Sequence, residues 1–221
     1  MIGAIASNFK SGELGLVLSL DATNISSYPG TGTIWYDLSG KGNNATIIGS
    51  PVFNSTTKDF YFNAIAKYIT LPISSPQFYP RTGSYTYRFY VNCTISNNYQ
   101  QIFKSTIGYG GTGMGIGLYT STATRMSCKL TDDSSVSSLL SIASAGNYSN
   151  VYIWFTIIIN RADNTFKVYA GNILTASASI SSLGAISEIA ANPIIFGNGG
   201  SNNMYGQKVK FYNRALDVSE L

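Results

Sequence analysis

Apolar positions along this chain come in short bursts separated by clusters of Gly, Asn, Ser and Pro. Residues 84–94 alternate most clearly. Tyr85, Tyr87, Phe89 and Val91 fall on one side and Thr86, Arg88, Tyr90 and Asn92 on the other, the period of two that a half-buried strand requires. The most apolar run, 151–160, leads across the turn Arg161-Ala162-Asp163-Asn164 into 165–170, which is a hairpin signal. Further strands are predicted at 14–20, 45–48, 59–62, 68–71, 101–104, 113–120, 126–130, 136–142, 194–197 and 207–213. Residues 22–32, with Tyr28-Pro29-Gly30, read as a loop, and 35–44 as a turn-rich stretch around Ser39-Gly40-Lys41-Gly42. Helical periodicity is nearly absent; the exception is 215–221, where Asp217 can cap a short turn.

Many short strands joined by turn chemistry describe an all-β sandwich or barrel. A chain of 221 residues buries a sizeable core without staples. With no internal repeat and no charged linker, the simplest organisation is one domain over 14–221 preceded by an arm, 1–13. The expected core holds Leu16, Leu18, Leu20, Phe62, Trp154, Ile158, Val168, Phe196 and Phe211. The arm carries Ile2, Ile5 and Phe9, which make it too apolar for a free tail; it is expected to pack against another subunit or a larger assembly.

Charged residues make up only 11% of the chain, against roughly 25% in typical soluble domains. The polar surface must therefore come from Ser, Thr, Asn and Gly, which suits packing against neighbours and is equally a common look for β-rich extracellular and viral domains. The net charge is +4 and the pI about 9.0, but the basic residues are scattered, so no nucleic-acid footprint is expected. Lys208 and Lys210 share a face if their segment is a strand; a solvated strand face is the simpler reading. No stretch approaches the roughly 18 apolar residues of a membrane span, and no secretory signal is recognised at the start. The N-x-[ST] triplets at Asn24, Asn44, Asn54, Asn92 and Asn147 are of the kind a chain this rich in Asn, Ser and Thr produces by chance. Cys93 and Cys128 are too few for a disulfide framework; they could pair, and two reduced, buried thiols is the favoured reading.

The chain contains no histidine. Ser-His-Asp and Cys-His nucleophile systems are thereby excluded, as are zinc sites built on imidazole. Acid–base chemistry would rest on carboxylates, yet Glu13, Glu188 and Glu220 each stand alone, and Asp132 and Asp133 are neighbours that would face opposite ways on a strand. No catalytic residue, cofactor or metal is expected. Gly108-Tyr109-Gly110-Gly111-Thr112-Gly113 matches a dinucleotide fingerprint literally, but the glycine-alternating stretch after it cannot open the helix that motif needs. Asp37-Leu38-Ser39-Gly40-Lys41-Gly42 begins like a calcium loop and fails at Lys41 and Ile48, so a turn capped by Asp37 is expected instead. Tyr28, Tyr79, Tyr109 and Tyr205 fall in predicted loops, where they could form a rim for sugar rings or a protein partner, with scattered surface tyrosines as the plain alternative.

Several stretches resemble the laminin-G-like jelly rolls of the concanavalin A-like lectin/glucanase superfamily. These are Gly15-Leu16-Val17-Leu18-Ser19-Leu20-Asp21-Ala22; Ser27-Tyr28-Pro29-Gly30 with residues 33–44; Phe60-Tyr61-Phe62-Asn63 through residues 68–72; Trp154-Phe155-Thr156 with Phe166-Lys167-Val168-Tyr169; and residues 195–198 with 209–216. They cover most of the chain in the family's order. The resemblance implies a two-sheet antiparallel β-sandwich. The block 15–44 is similar to versions found in viral structural proteins, which implies a non-catalytic component of a virus or phage particle, located in the virion, touching other virion structural proteins as a homo-oligomer or part of a larger assembly. A carbohydrate-binding module, with glycans as partner, is the alternative. At Ala64-Ile65-Ala66-Lys67 the chain lacks the Gly and Asp of many members, which argues further against calcium.

Overall fold

A computed structural model describes residues 13–64, 66–72, 76–94, 101–104, 115–122, 125–134, 137–142, 148–187, 194–197 and 203–221. Sixteen strands follow one another: β1 Leu16–Asp21, β2 Ile34–Trp35, β3 Ala45–Ile48, β4 Val52–Asn54, β5 Asp59–Phe62, β6 Tyr68–Thr70, β7 Tyr85–Cys93, β8 Gln101–Lys104, β9 Gly115–Thr122, β10 Arg125–Thr131, β11 Ser137–Ile142, β12 Ile153–Asn160, β13 Thr165–Ala170, β14 Ile173–Ser179, β15 Ile195–Gly197 and β16 Met204–Tyr212. They form two eight-stranded antiparallel sheets packed face to face. The first runs β14-β13-β12-β7-β16-β5-β4, with β1 also against β16; the second runs β11-β10-β9-β8-β15-β6-β3-β2. The predicted sandwich is therefore the observed one. The predicted strands recur with edges shifted by a few residues, and β16 starts at Met204 rather than at 207. Not predicted were β2, β4 and β14.

Strand β16 organises the first sheet. One edge pairs with β7 along its length; the other is divided, Met204–Gly206 facing β5 and Lys208–Tyr212 facing β1. The ladder slips between Gly206 and Lys208, so Gln207 is the extra residue of a bulge. That bulge keeps Tyr205, Lys208, Lys210 and Tyr212 on the outer face while Met204, Val209 and Phe211 point inward.

The core is a layer of rings from both sheets. Trp35 packs on Phe60, Phe62 on Phe196, and Phe89 on both Phe103 and Phe196; Phe211 meets Phe78, Tyr85, Tyr87, Phe89 and Phe103. The alternation predicted for β7 holds: Tyr85, Tyr87, Phe89 and Val91 are all buried in this layer. Of the predicted core, Leu18, Leu20, Phe62, Val168, Phe196 and Phe211 lie in it. Ile158 is buried in a second, smaller cluster on the outer face of the first sheet, where it meets Tyr169, Tyr212 and Leu216, with Leu16 packed alongside. Trp154 is a correction. It is half-buried and on the outer face, because β12 is apolar on both sides and Phe155, Ile157 and Ile159 take the inward positions. Cys93 and Cys128 are free and buried, and burial pushes the Cys93 thiol up to about 12, so it stays protonated.

Ring packing this tight needs bare backbone opposite it. A Cβ on Gly206 would lie 2.6 Å from the Phe196 ring, and one on Gly197, whose φ is +87°, 2.7 Å from Phe62. Gly206→Ala is therefore expected to lower unfolding free energy by about 1–3 kcal/mol through overpacking. Urea denaturation checks this, and an unchanged midpoint would mean that the rings have room to spare.

Candidate functional site

Of the four tyrosines expected to form a rim, two face inward. Tyr28 stays in its loop but turns inward, 6% exposed, with ring centroids 4.8 Å from Phe53 and 4.7 Å from Phe60 and its hydroxyl donating to the Gly32 carbonyl. Tyr79 is also buried, at 6% exposure. Neither offers a ring face to solvent. Tyr109, with the glycine-rich 108–113 stretch, and the arm residues Ile2, Ile5 and Phe9 lie outside the described residues. The residues that follow the glycines form strand β9 and no helix. Tyr205 sits on β16 rather than in a loop, half-buried on the outer face of the first sheet.

Around Tyr205 the topology assembles something that the sequence reading missed. Tyr61 of β5 is its direct partner in the ladder, and the two rings stack with centroids 4.7 Å apart and planes at 17°. On β7, Tyr90 faces Trp154 of β12; their rings are 5.3 Å apart. Tyr152, just before β12, stacks on Tyr90 at 5.5 Å and reaches across the sheet to donate its hydroxyl to Asp59 Oδ2 on β5. All five rings are half-buried. Together they make a strip over four neighbouring strands, apolar in its faces and polar at its hydroxyl tips. The Tyr152 phenol is held protonated, first by desolvation and then by its bond to the Asp59 carboxylate; Tyr205 is raised by desolvation and by the nearby Tyr61 and Asp59.

At the other end the strip runs into a clasp made by residues 214–221. Arg88 is buried, its Cζ 4.7 Å from the Trp154 ring centroid. Its Nε donates to Thr156 Oγ1 and its Nη1 to the Glu220 carbonyl, 3.2 Å each. Thr86 Oγ1 donates to the Arg214 carbonyl and accepts from Leu216 N. Arg214 grips Glu220 through two bonds, Nη1–Oε2 at 2.7 Å and Nη2–Oε1 at 2.5 Å. Asp217 caps the turn Val218–Glu220, as the sequence predicts, in a reciprocal box with Glu220. The clasp covers Ile158, Tyr169 and Tyr212, while the rings of the strip beside it are half-buried.

Three of the carboxylates singled out by sequence hold local structure together. Asp37 Oδ1 accepts from Ser19 N and Ser39 N, and Oδ2 from Ser39 Oγ and Asn43 N. Asp132 accepts from Gly184 N and Ser134 N; Asp133 accepts from Ser187 N and Oγ. Lys208 shares the outer face with Lys210 as expected and pairs with Asp21 at 2.9 Å. Among the described residues, no group of three or more metal-ligating side chains occurs, and no helix is long and apolar enough to cross a membrane.

No family model and no curated protein matches the sequence. Solved structures do match the fold. The binding domain of Paraclostridial Mosquitocidal Protein 1 superimposes with a TM-score of 0.72 at 16% identity, covering 95% of this chain and 51% of that one. The botulinum neurotoxin serotype G binding domain gives 0.74 at 19% identity, covering 93% and 49%. The serotype D ligand-binding domain, solved in complex with N-acetylneuraminic acid, gives 0.72 at 17% identity, covering 95% and 50%. At these identities the likeness is one of fold, and the present chain spans about half the length of those structures. They are binding domains rather than catalytic ones.

The clasp generates a pH dependence. The Arg214 guanidinium holds the Glu220 carboxyl down at about 2, below its ordinary 4.5. A carboxylate whose pKa is lowered on folding stabilises the fold above the unfolded value, and that contribution is lost as pH falls toward the folded one. Glu220→Gln is therefore expected to be less stable than the native chain at pH 6, with the two stabilities converging between pH 4.5 and 2. Urea midpoints across that range read the difference; a constant gap would place the carboxylate outside the clasp's energetics.

Proposed function

We propose that this chain is a non-catalytic recognition module of the concanavalin A-like, laminin-G-like kind, and that it binds carbohydrate on the strip formed by Tyr61, Tyr205, Tyr152, Tyr90 and Trp154. The observation that carries this reading is the strip itself: five half-buried rings in a row on one sheet face, with hydroxyl and indole tips at their edges. Sugar rings present apolar C–H faces edged by hydroxyls, and rings of this kind match both properties. The similarity of the fold to toxin binding domains, one of them solved with N-acetylneuraminic acid, supports it. The absence of histidine supports a binding role over a catalytic one. A glycan array followed by calorimetry tests the reading. Saturable binding is expected, and Tyr205→Ala and Trp154→Ala should each weaken it about 2- to 10-fold, the worth of one aromatic contact of about 0.5–1.5 kcal/mol. A folded protein that binds no saccharide overturns it.

A second reading is favoured by the block 15–44 and by the low charge: the module is carried on a virus or phage particle, where it meets other virion structural proteins and more copies of itself. The arm residues Ile2, Ile5 and Phe9 are then the contact to a neighbouring subunit. Removing residues 1–11 is expected to leave the melting temperature of the sandwich unchanged and to abolish assembly measured by light scattering. Normal assembly of the shortened chain, or its unfolding, sinks this assignment.

A further inference from the structure

The strip has one polar group that its own neighbours do not satisfy. Asp59 opens β5, and since Phe60 and Phe62 point into the core, alternation places its side chain on the outer face among the rings. It is nevertheless only 1% exposed. Oδ2 takes the Tyr152 hydroxyl, but Oδ1 is buried and has no hydrogen-bond partner among the described residues. Lys208, which enters the same face from β16, is committed to Asp21. The electrostatic influence of Asp59 reaches both Tyr152 and Tyr205. A buried carboxylate oxygen left without a donor is costly, and such atoms call for a structural or functional reason. The hydroxyl of a bound ligand is a group able to supply that donor.

We propose that Asp59 is the hydroxyl-reading element of the strip: its Oδ1 accepts a hydrogen bond from a sugar residue stacked against Tyr205 and Tyr152. This rests on the carbohydrate reading above and narrows it. The site takes uncharged, hydroxyl-rich sugars and disfavours those carrying a carboxylate, because that second anion would sit beside Asp59 while Lys208, the cation on the neighbouring strand, is held by Asp21. The preference is thus opposite to what the sialic-acid complex of the serotype D domain would suggest by analogy. Ligand entry requires the Tyr152 ring to tilt off Tyr90.

The test pairs neutral oligosaccharides (lactose, N-acetyllactosamine, cellotetraose and maltotetraose) with sialyllactose and a uronic-acid tetrasaccharide, titrated calorimetrically into the native chain. Neutral ligands are expected to bind at least tenfold more tightly than the acidic ones. Asp59→Asn is expected to weaken neutral binding at least tenfold and to narrow the gap, with its fold checked by melting. The comparison on the native chain stands even if that variant does not fold. Equal or tighter binding of the acidic ligands overturns the assignment of Asp59 while leaving the strip as the site, and so does a folded Asp59→Asn that binds neutral sugars normally. If no saccharide binds the native chain, the carbohydrate reading falls and this inference falls with it.

Discussion

The rest of the structure depends on the contact of large rings with bare backbone between the two sheets. Phe62 and Phe196 lie so close to Gly206 and Gly197 that no side chain fits between them. Rings do not compress, and protein interiors pack at the density of organic crystals. The registers of β5, β15 and β16 are therefore fixed together. Fixing register also fixes which side chains face out, because a slip by one residue exchanges the two faces of a strand. The outer strip of Tyr61, Tyr205, Tyr90 and Trp154 is in this sense a by-product of the inner layer: Phe60 and Phe62 inward put Tyr61 outward, Phe155 and Ile157 inward put Trp154 outward.

Several of the charges among the described residues are occupied inside the molecule. Asp21 with Lys208, Arg214 with Glu220, Asp37 with its loop amides, and Asp132 and Asp133 with residues 184–187 all act within the domain. Arg88 is the clearest case: a buried guanidinium between an indole ring and a backbone carbonyl, its pKa lowered by desolvation. A cation in that position links the sheet to the clasp by hydrogen bonds, stacking and the packing of its aliphatic stem.

Much of the fold is legible in the sequence because strands longer than a few residues leave an alternation that turn residues punctuate. Strand β7 shows this in full. The three strands that went unread lack the signal for separate reasons: β2 is only Ile34–Trp35, β4 is a short piece just after Pro51, and β14 mixes Ile173 and Leu174 with Ala and Ser, giving no contrast between faces. The site was less legible. Loop tyrosines suggested a rim, but a tyrosine in a loop can turn inward as easily as outward, and Tyr28 does so because Phe53 and Phe60 form a wall that sequence separation hides. The strip draws on residues as far apart as Asp59 and Tyr205, brought together only by the order of β5, β16, β7 and β12. Tyr90 could have pointed to it, since the alternation of β7 already placed that ring outward.

The divided edge of β16 has a consequence for how the protein is made. Strands β1, β5 and β7 have no direct pairing with one another in the first sheet; each is joined to the others through residues 204–212. On the ribosome, β1 and β5 emerge long before their common partner does. Until β16 arrives, their edges and the ring layer beneath them have no seat, and the closure spans nearly the whole chain. Such non-local pairing is slow, and it exposes unpaired strand edges meanwhile. The step that completes the sheet is also the one that lines up Tyr205 with Tyr61, so the outer strip is not assembled until residues 204–212 have paired.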